Sequence, residues 1–139
     1  MQMRVVCARP PLFDAIDAAF HIAGKPVIFA FGDTIYNPMG VAIAPSLMAH
    51  EAVHGERQRG GDGDVTEWWR RYIDEPQFRL AEEIPAHQAE YRALCAEHPT
   101  APRNQRRLFL SGIARRLASP LYGGIVSFEA ARKLVKAAP

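Results

Sequence analysis

The sequence predicts an α+β fold in which a small two- or three-stranded sheet is followed by a helical bundle. Three observations carry that prediction. Strand-type residues are confined to one stretch, VIFAF (27–31), TIYN (34–37) and GVAIA (40–44). From Pro45 onward apolar residues recur at helical spacing, with proline and glycine punctuating the segments. The 139 residues contain no repeat or low-complexity tract, which fits a single domain, 1–139, able to bury a core without disulfide or metal staples.

The elements follow in order. Residues 3–7 (MRVVC) read as a short strand or an extended arm. Pro10 and Pro11 open a helix with Leu12, Ile16, Ala19 and Phe20 at helical spacing, expected to end near Gly24. VIFAF is β-branched and aromatic, hence a strand; Gly32-Asp33 is a turn; TIYN is a second strand stopped by Pro38; GVAIA is a possible third. Pro45-Ser46 start a helix running to about Arg59, and GGDGD (60–64) is a turn before a short helix, EWWRRYI. Pro76 opens a longer helical stretch to about His98, within which Pro85 cannot donate a backbone hydrogen bond, so a kink or restart is expected. Residues 103–118 place Leu108, Phe109, Ile113 and Leu117 between arginines, and a PLYGG turn leads to a last helix with Ser127 as N-cap.

Composition narrows the class. The hydrophobic fraction of 48% and charged fraction of 23% are ordinary for a globular domain, and a net charge of +2 does not by itself argue for nucleic acid. Cys7 and Cys95 form no CxxC pair and no disulfide framework, which fits a reducing compartment or a chain indifferent to redox. The Pro-Pro break interrupts any signal-peptide-like apolar run, and no stretch approaches the roughly 18 apolar residues of a membrane span. A soluble cytoplasmic protein with no membrane partner is expected; no oligomeric state is implied.

The chemistry concentrates in MAHEAVHGERQ (48–58). On a helix, residues four apart share a face, so His50 and His54 can present two imidazole nitrogens to one ion at roughly 2.0–2.1 Å. Glu51 lies about 100° around the helix. It suits the general-base role in zinc hydrolysis, accepting a proton from an activated water. Apolar Leu47 and Val53 indicate that this helix packs.

A catalytic zinc needs a third protein ligand, and the downstream candidates are Glu56, Asp62, Asp64, Asp74, Glu82, Glu83, His87 and Glu90. RLAEEIPAHQAEY (79–91) is the best place, a carboxylate pair on a second helix able to pack across the first. Leu80, Ile84, Tyr91 and Leu94 mark an inward stripe, with Glu83, His87 and Glu90 beside it at i, i+4 and i+7. Glu83 is the chosen ligand and Glu82 the fallback, with His87 and Glu90 as further alternatives.

With these residues in place, the chain resembles the zincin metallopeptidases of the Glu-zincin type, and more narrowly the small zinc peptidases encoded in phages and prophages. The resemblance rests on His50-Glu51-x-x-His54 with Gln58 one turn later, on WWRRYIDEPQFRLAEEIPAHQAEY and on PLYGGIVSFEAARKLV, and runs from about Val27 to the C-terminus. It implies one Zn²⁺ held by His50, His54 and Glu83, with Glu51 as base, acting on a peptide or protein. An extended substrate would lie along an edge strand from the 27–44 region. The place four residues after the ligand glutamate, where larger members often have an aspartate that orients a histidine, holds His87.

Other residues have lesser expected roles. Tyr36 and Tyr122 are candidates for stabilising the oxyanion, and Gln58 for hydrogen-bonding a metal ligand or simply ending the helix. Trp68 and Trp69 read as core or cleft wall. Arg103, Arg106, Arg107, Arg115 and Arg116 read as a solvated helical face rather than a nucleic-acid contact. Two other functions compete: a deformylase-like metal hydrolase with Cys7 as third ligand, and a non-catalytic phage-related binding or structural protein with a structural zinc.

Overall fold

A computed structural model describes residues 2–61 and 63–137. It shows a small α+β fold with strands β1 (Arg4–Val6), β2 (Phe29–Phe31) and β3 (Thr34–Tyr36). Six helices accompany them: α1 (Phe13–Phe20), α2 (Pro45–Gly60), α3 (Val65–Asp74), α4 (Pro76–Glu97), α5 (Arg103–Leu117) and α6 (Phe128–Lys136). A 3₁₀ turn, Pro120–Tyr122, sits between the last two. Among the described residues no helix is long and apolar enough to cross a membrane.

The sheet order is β1-β3-β2. Strand β3 pairs parallel with β1 (Val5 opposite Ile35) and antiparallel with β2 (Ala30 opposite Ile35). The third strand is therefore the N-terminal segment; GVAIA (40–44) forms no strand. Asn37 explains part of that difference. Its amide side chain accepts from the Val41 N–H and donates to the Val41 carbonyl, so the backbone groups a ladder would need at that residue are taken locally. Helix α1 ends earlier than Gly24 because His21 adopts a left-handed conformation (φ 53) and returns its N–H to the Asp17 carbonyl at 2.7 Å.

Among the described residues, three apolar clusters hold the elements. Ile16, Ile22, Phe29, Trp68, Trp69 and Tyr72 join α1, β2 and α3. Ala30 and Ile35 pack with Leu47, Met48 and Ala52, seating α2 on the other side of the sheet. Leu110, Ile113, Leu117 and Val135 join α5 and α6, with Leu80, Ile84, Tyr91 and Leu94 of α4 packed against them, as the stripe predicts. Helix α4 runs through Pro85 rather than restarting there, although Pro85 has no N–H to donate.

Close approach fixes α2 against the β2–β3 turn. A Cβ on Gly55 would lie 2.5 Å from the Gly32 carbonyl oxygen and 2.8 Å from Met3 Cε. In an open helix, Gly→Ala gains about 1 kcal/mol. Here Gly55→Ala is expected to lose about 1–3 kcal/mol by overpacking. The readout is a lower urea midpoint at unchanged slope; an equally stable variant contradicts the close approach.

Candidate metal centre

Helices α2 and α4 bury an unusual set of residues. The residues that α2 buries are Ser46, His50, Glu51, His54, Gly55 and Gln58; those that α4 buries are Arg79, Glu82, Glu83, Ala86, His87 and Glu90. Burying charge between two helices costs several kcal/mol per group unless partners satisfy it. A polar interface enclosed by apolar clusters is therefore where function is to be sought.

Glu83 lies at its centre. One carboxylate oxygen is 3.3 Å from His50 Nε2, and the carboxylate lies 3.2 Å from His54 Nε2. Tyr72, from α3, donates its hydroxyl to the second oxygen. Burial pushes the Glu83 carboxyl up, but the two imidazoles outweigh it and hold it well below the usual carboxylate range. His50 Nδ1 lies 2.8 Å from Glu90, whose other oxygen accepts from Arg116 of α5. Burial opposes charge on His50, yet Glu83 and Glu90 raise its pKa to about 10 in the ion-free chain.

The two Glu83 separations are compatible with ligands of one ion, and at 3.2 Å the His54–Glu83 contact is also a hydrogen bond. An ionic hydrogen bond between nitrogen and oxygen spans about 2.7–2.9 Å. Bonds of about 2.0–2.1 Å from a tetrahedral zinc set its ligand atoms about 3.3–3.4 Å apart. The His50–Glu83 and His54–Glu83 distances match the second spacing, whereas His50–Glu90 matches the first. Glu90 stands where an orienting carboxylate would, and His50 Nε2 faces Glu83. Two triplets, His50–Glu83–His87 and His50–Glu51–His54, bring one ligand-capable atom per residue within 4.8 Å of one another among the described residues; the set His50–His54–Glu83 is not one of them.

His87 is fully buried, and its Nδ1 donates to the Glu83 carbonyl oxygen at 2.8 Å while lying 3.4 Å from the Glu83 carboxylate. Burial and the charge of His50 lower its pKa to about 4, so the ring is neutral and Nε2 carries a lone pair. Three buried side-chain nitrogens have no hydrogen-bond partner among the described residues: His87 Nε2, His54 Nδ1 and Arg132 Nε.

Glu51 completes the cluster, its Oε2 3.7 Å from His50 Nε2 and its pKa raised by burial despite the opposing pull of the two histidines. It lines a small cavity of 90 Å³ together with His50, His54, Glu83 and Tyr122. One water needs roughly 10–15 Å³ on this measure, so the cavity admits a few waters or one side chain. Ile16, Phe20, Ile22, Phe29 and Trp69 form its apolar walls.

The structure sorts the remaining candidates. Glu82 does not face the histidines: Arg57 donates twice to its Oε2 (2.7 and 3.0 Å) and the Trp68 indole N–H to its Oε1 (2.7 Å). Glu56 is exposed, Asp64 caps α3 by accepting from the Glu67 N–H, Asp74 ends that helix, and Asp62 lies outside the described residues. Gln58 neither contacts a metal ligand nor merely ends the helix; it accepts from the Gly32 N–H at 2.7 Å and donates to the Ala30 carbonyl at 2.9 Å. Tyr36 packs with the α1–α3 cluster, while Tyr122 stands against His87 with ring centroids 5.3 Å apart. Cys7 is exposed beyond β1, its thiol 3.9 Å from the Pro38 carbonyl, and lines no wall of the cavity.

The edge strand also differs from expectation. The Ala30 carbonyl on β2 accepts from Gln58 and from the Trp69 indole, and the Gly32 carbonyl accepts from Arg59. An extended peptide cannot pair there without displacing these bonds. No family model, curated protein or solved structure matches the chain.

The orienting role of Glu90 is testable. Glu90→Gln is expected to weaken zinc affinity roughly 10–100-fold with the fold retained, measured by competition with a chromogenic chelator. Unchanged affinity contradicts the role.

Proposed function

We propose that this chain is a zinc-dependent peptidase in which His50, His54 and Glu83 hold the ion and Glu51 is the general base. The observation that carries the reading is the pair of 3.2–3.3 Å separations from Glu83 to the two imidazoles, longer than an ionic hydrogen bond and matched to ligand spacing around zinc. When bound, zinc supplies Lewis acidity and lowers the pKa of a water to about 7.

The chain's own residues do the rest. Glu90 and Arg116 hold His50 in orientation, and Tyr72 fixes Glu83. Glu51 takes a proton from the attacking water and returns it to the leaving amine; burial, by raising its pKa, suits it to both transfers. Tyr122, on the cavity wall, is the candidate to face the developing oxyanion. Because side chains occupy the β2 edge, the substrate is better read as a flexible segment that places one apolar side chain in the cavity than as a long added strand.

A second reading has its own observation. The triplet of His50, Glu83 and His87 permits a closed site with a further imidazole, which is a structural zinc. Incubating zinc-loaded protein with unfolded casein separates the two. Chelator-sensitive cleavage supports the peptidase; stoichiometric zinc without cleavage of casein or a mixed peptide library supports the structural site.

A further inference from the structure

Charge is divided unevenly along this chain. Residues 99–139 carry eight Lys and Arg against one acid, Glu129, whereas residues 1–98 carry nine against fourteen. The net +2 therefore conceals a C-terminal segment at +7 joined to a remainder at −5. The sequence alone reads the α5 arginines as a solvated face; the fold sets α6 cations beside them.

Two adjoining hollows of 440 and 420 Å³ lie on the α5–α6 face, and Arg107 and Arg132 line both. Arg103, Arg106 and Lys136 complete the cationic lining, and among the described residues no carboxylate lines either hollow. Arg132 adds a second observation: its Nε is buried without an acceptor among the described residues, although its Nη1 pairs with Glu129 at 3.9 Å. Asn104 and Ser111 supply neutral polar groups along the same groove. The α5 residues that line the hollows run from Arg103 to Ser111, about 12 Å along the helix axis, long enough to meet more than one phosphate.

We propose that this groove binds the phosphate backbone of a nucleic acid. Guanidinium groups match phosphate oxygens in two-pronged geometry, and four of the five cations are arginines. A membrane surface fits less well. An interfacial helix needs a continuous apolar stripe, but Leu110, Ile113, Ala114 and Leu117 of α5 are buried in the core, leaving Leu108 as the helix's one strongly exposed large apolar side chain. The groove is formed by residues other than the metal-centre set, so this proposal stands whether or not the peptidase reading does.

The test is fluorescence anisotropy of the whole protein with a labelled duplex of about 20 base pairs, and the matching single strand, over a salt series starting near 50 mM. Micromolar binding to either probe is expected, and five phosphate contacts predict a log–log salt slope of about −4.5 for the duplex. Arg107→Glu/Lys136→Glu, both exposed positions, is expected to weaken binding at least 10-fold and reduce the slope by about 2. Lys25→Glu/Arg70→Glu changes net charge equally at exposed sites elsewhere and is expected to leave binding within about twofold. No binding at low salt, equal weakening by both double variants, or binding to phosphatidylglycerol vesicles but to neither nucleic acid overturns the proposal.

Discussion

Glu51→Gln is expected to retain zinc and fold while lowering peptide hydrolysis by on the order of 10²–10⁴-fold. The amide keeps the shape of the carboxylate but cannot accept a proton. Glu51 is not a member of the proposed ligand set, so zinc content stays at one per chain. Stability gives a second signature. Burial penalises the Glu51 charge in the ion-free chain and raises its pKa. A neutral amide removes that penalty, so the melting temperature of the variant should match or exceed the parent's. A residue retained only for structure would show the opposite pattern, with lower stability and no specific effect on turnover.

Glu83→Gln is expected to abolish zinc retention, with affinity lowered by on the order of 10³-fold or more, because a neutral amide oxygen is a poor zinc ligand beside a carboxylate. The ion-free protein should suffer as well. Glu83 is the buried counter-charge to His50 and the acceptor of the Tyr72 hydroxyl; removing one partner of such a pair costs about 3–5 kcal/mol. The adjacent substitution is the control. Glu82→Gln disturbs the bonds to Arg57 and Trp68, away from the histidines, and should keep zinc at the parent level. Loss of zinc in both variants, or in Glu82→Gln alone, contradicts the assignment of these neighbours.

Much of this arrangement was legible in the residues, for physical reasons. His50 and His54 follow from helical periodicity, and the choice of Glu83 over Glu82 follows from the stripe of Leu80, Ile84, Tyr91 and Leu94, because an apolar stripe fixes the rotation of a helix about its axis. The same periodicity set Glu90 on the inward side but not what it would touch. Its contact with His50 depends on how two helices cross, and that with Arg116 on the return of α5, neither of which is local. Tyr72 falls four residues after Trp68, on the same helical face, a signal that marks burial but not a hydroxyl aimed at Glu83.

The sheet was harder to read. GVAIA has the composition of a strand, but β-propensity mainly reports fit to a half-buried surface, and Asn37 ties the local backbone instead. Strand β1 became the third member through a parallel pairing 30 residues apart in sequence, which no local pattern announces. Gln58 shows the same limit. Its i+4 relation to His54 placed it on the correct side of α2, yet its amide serves the backbone at Ala30 and Gly32.

Zinc K-edge X-ray absorption on the protein loaded with one equivalent of zinc tests the central claim most directly. The expected spectrum has nitrogen and oxygen neighbours at about 2.0–2.1 Å, outer-shell scattering from two imidazoles and no sulfur, with loss of the bound zinc in Glu83→Gln. A third imidazole would identify His87 as a ligand and a closed site, and failure to bind one equivalent at neutral pH would remove the metal centre altogether.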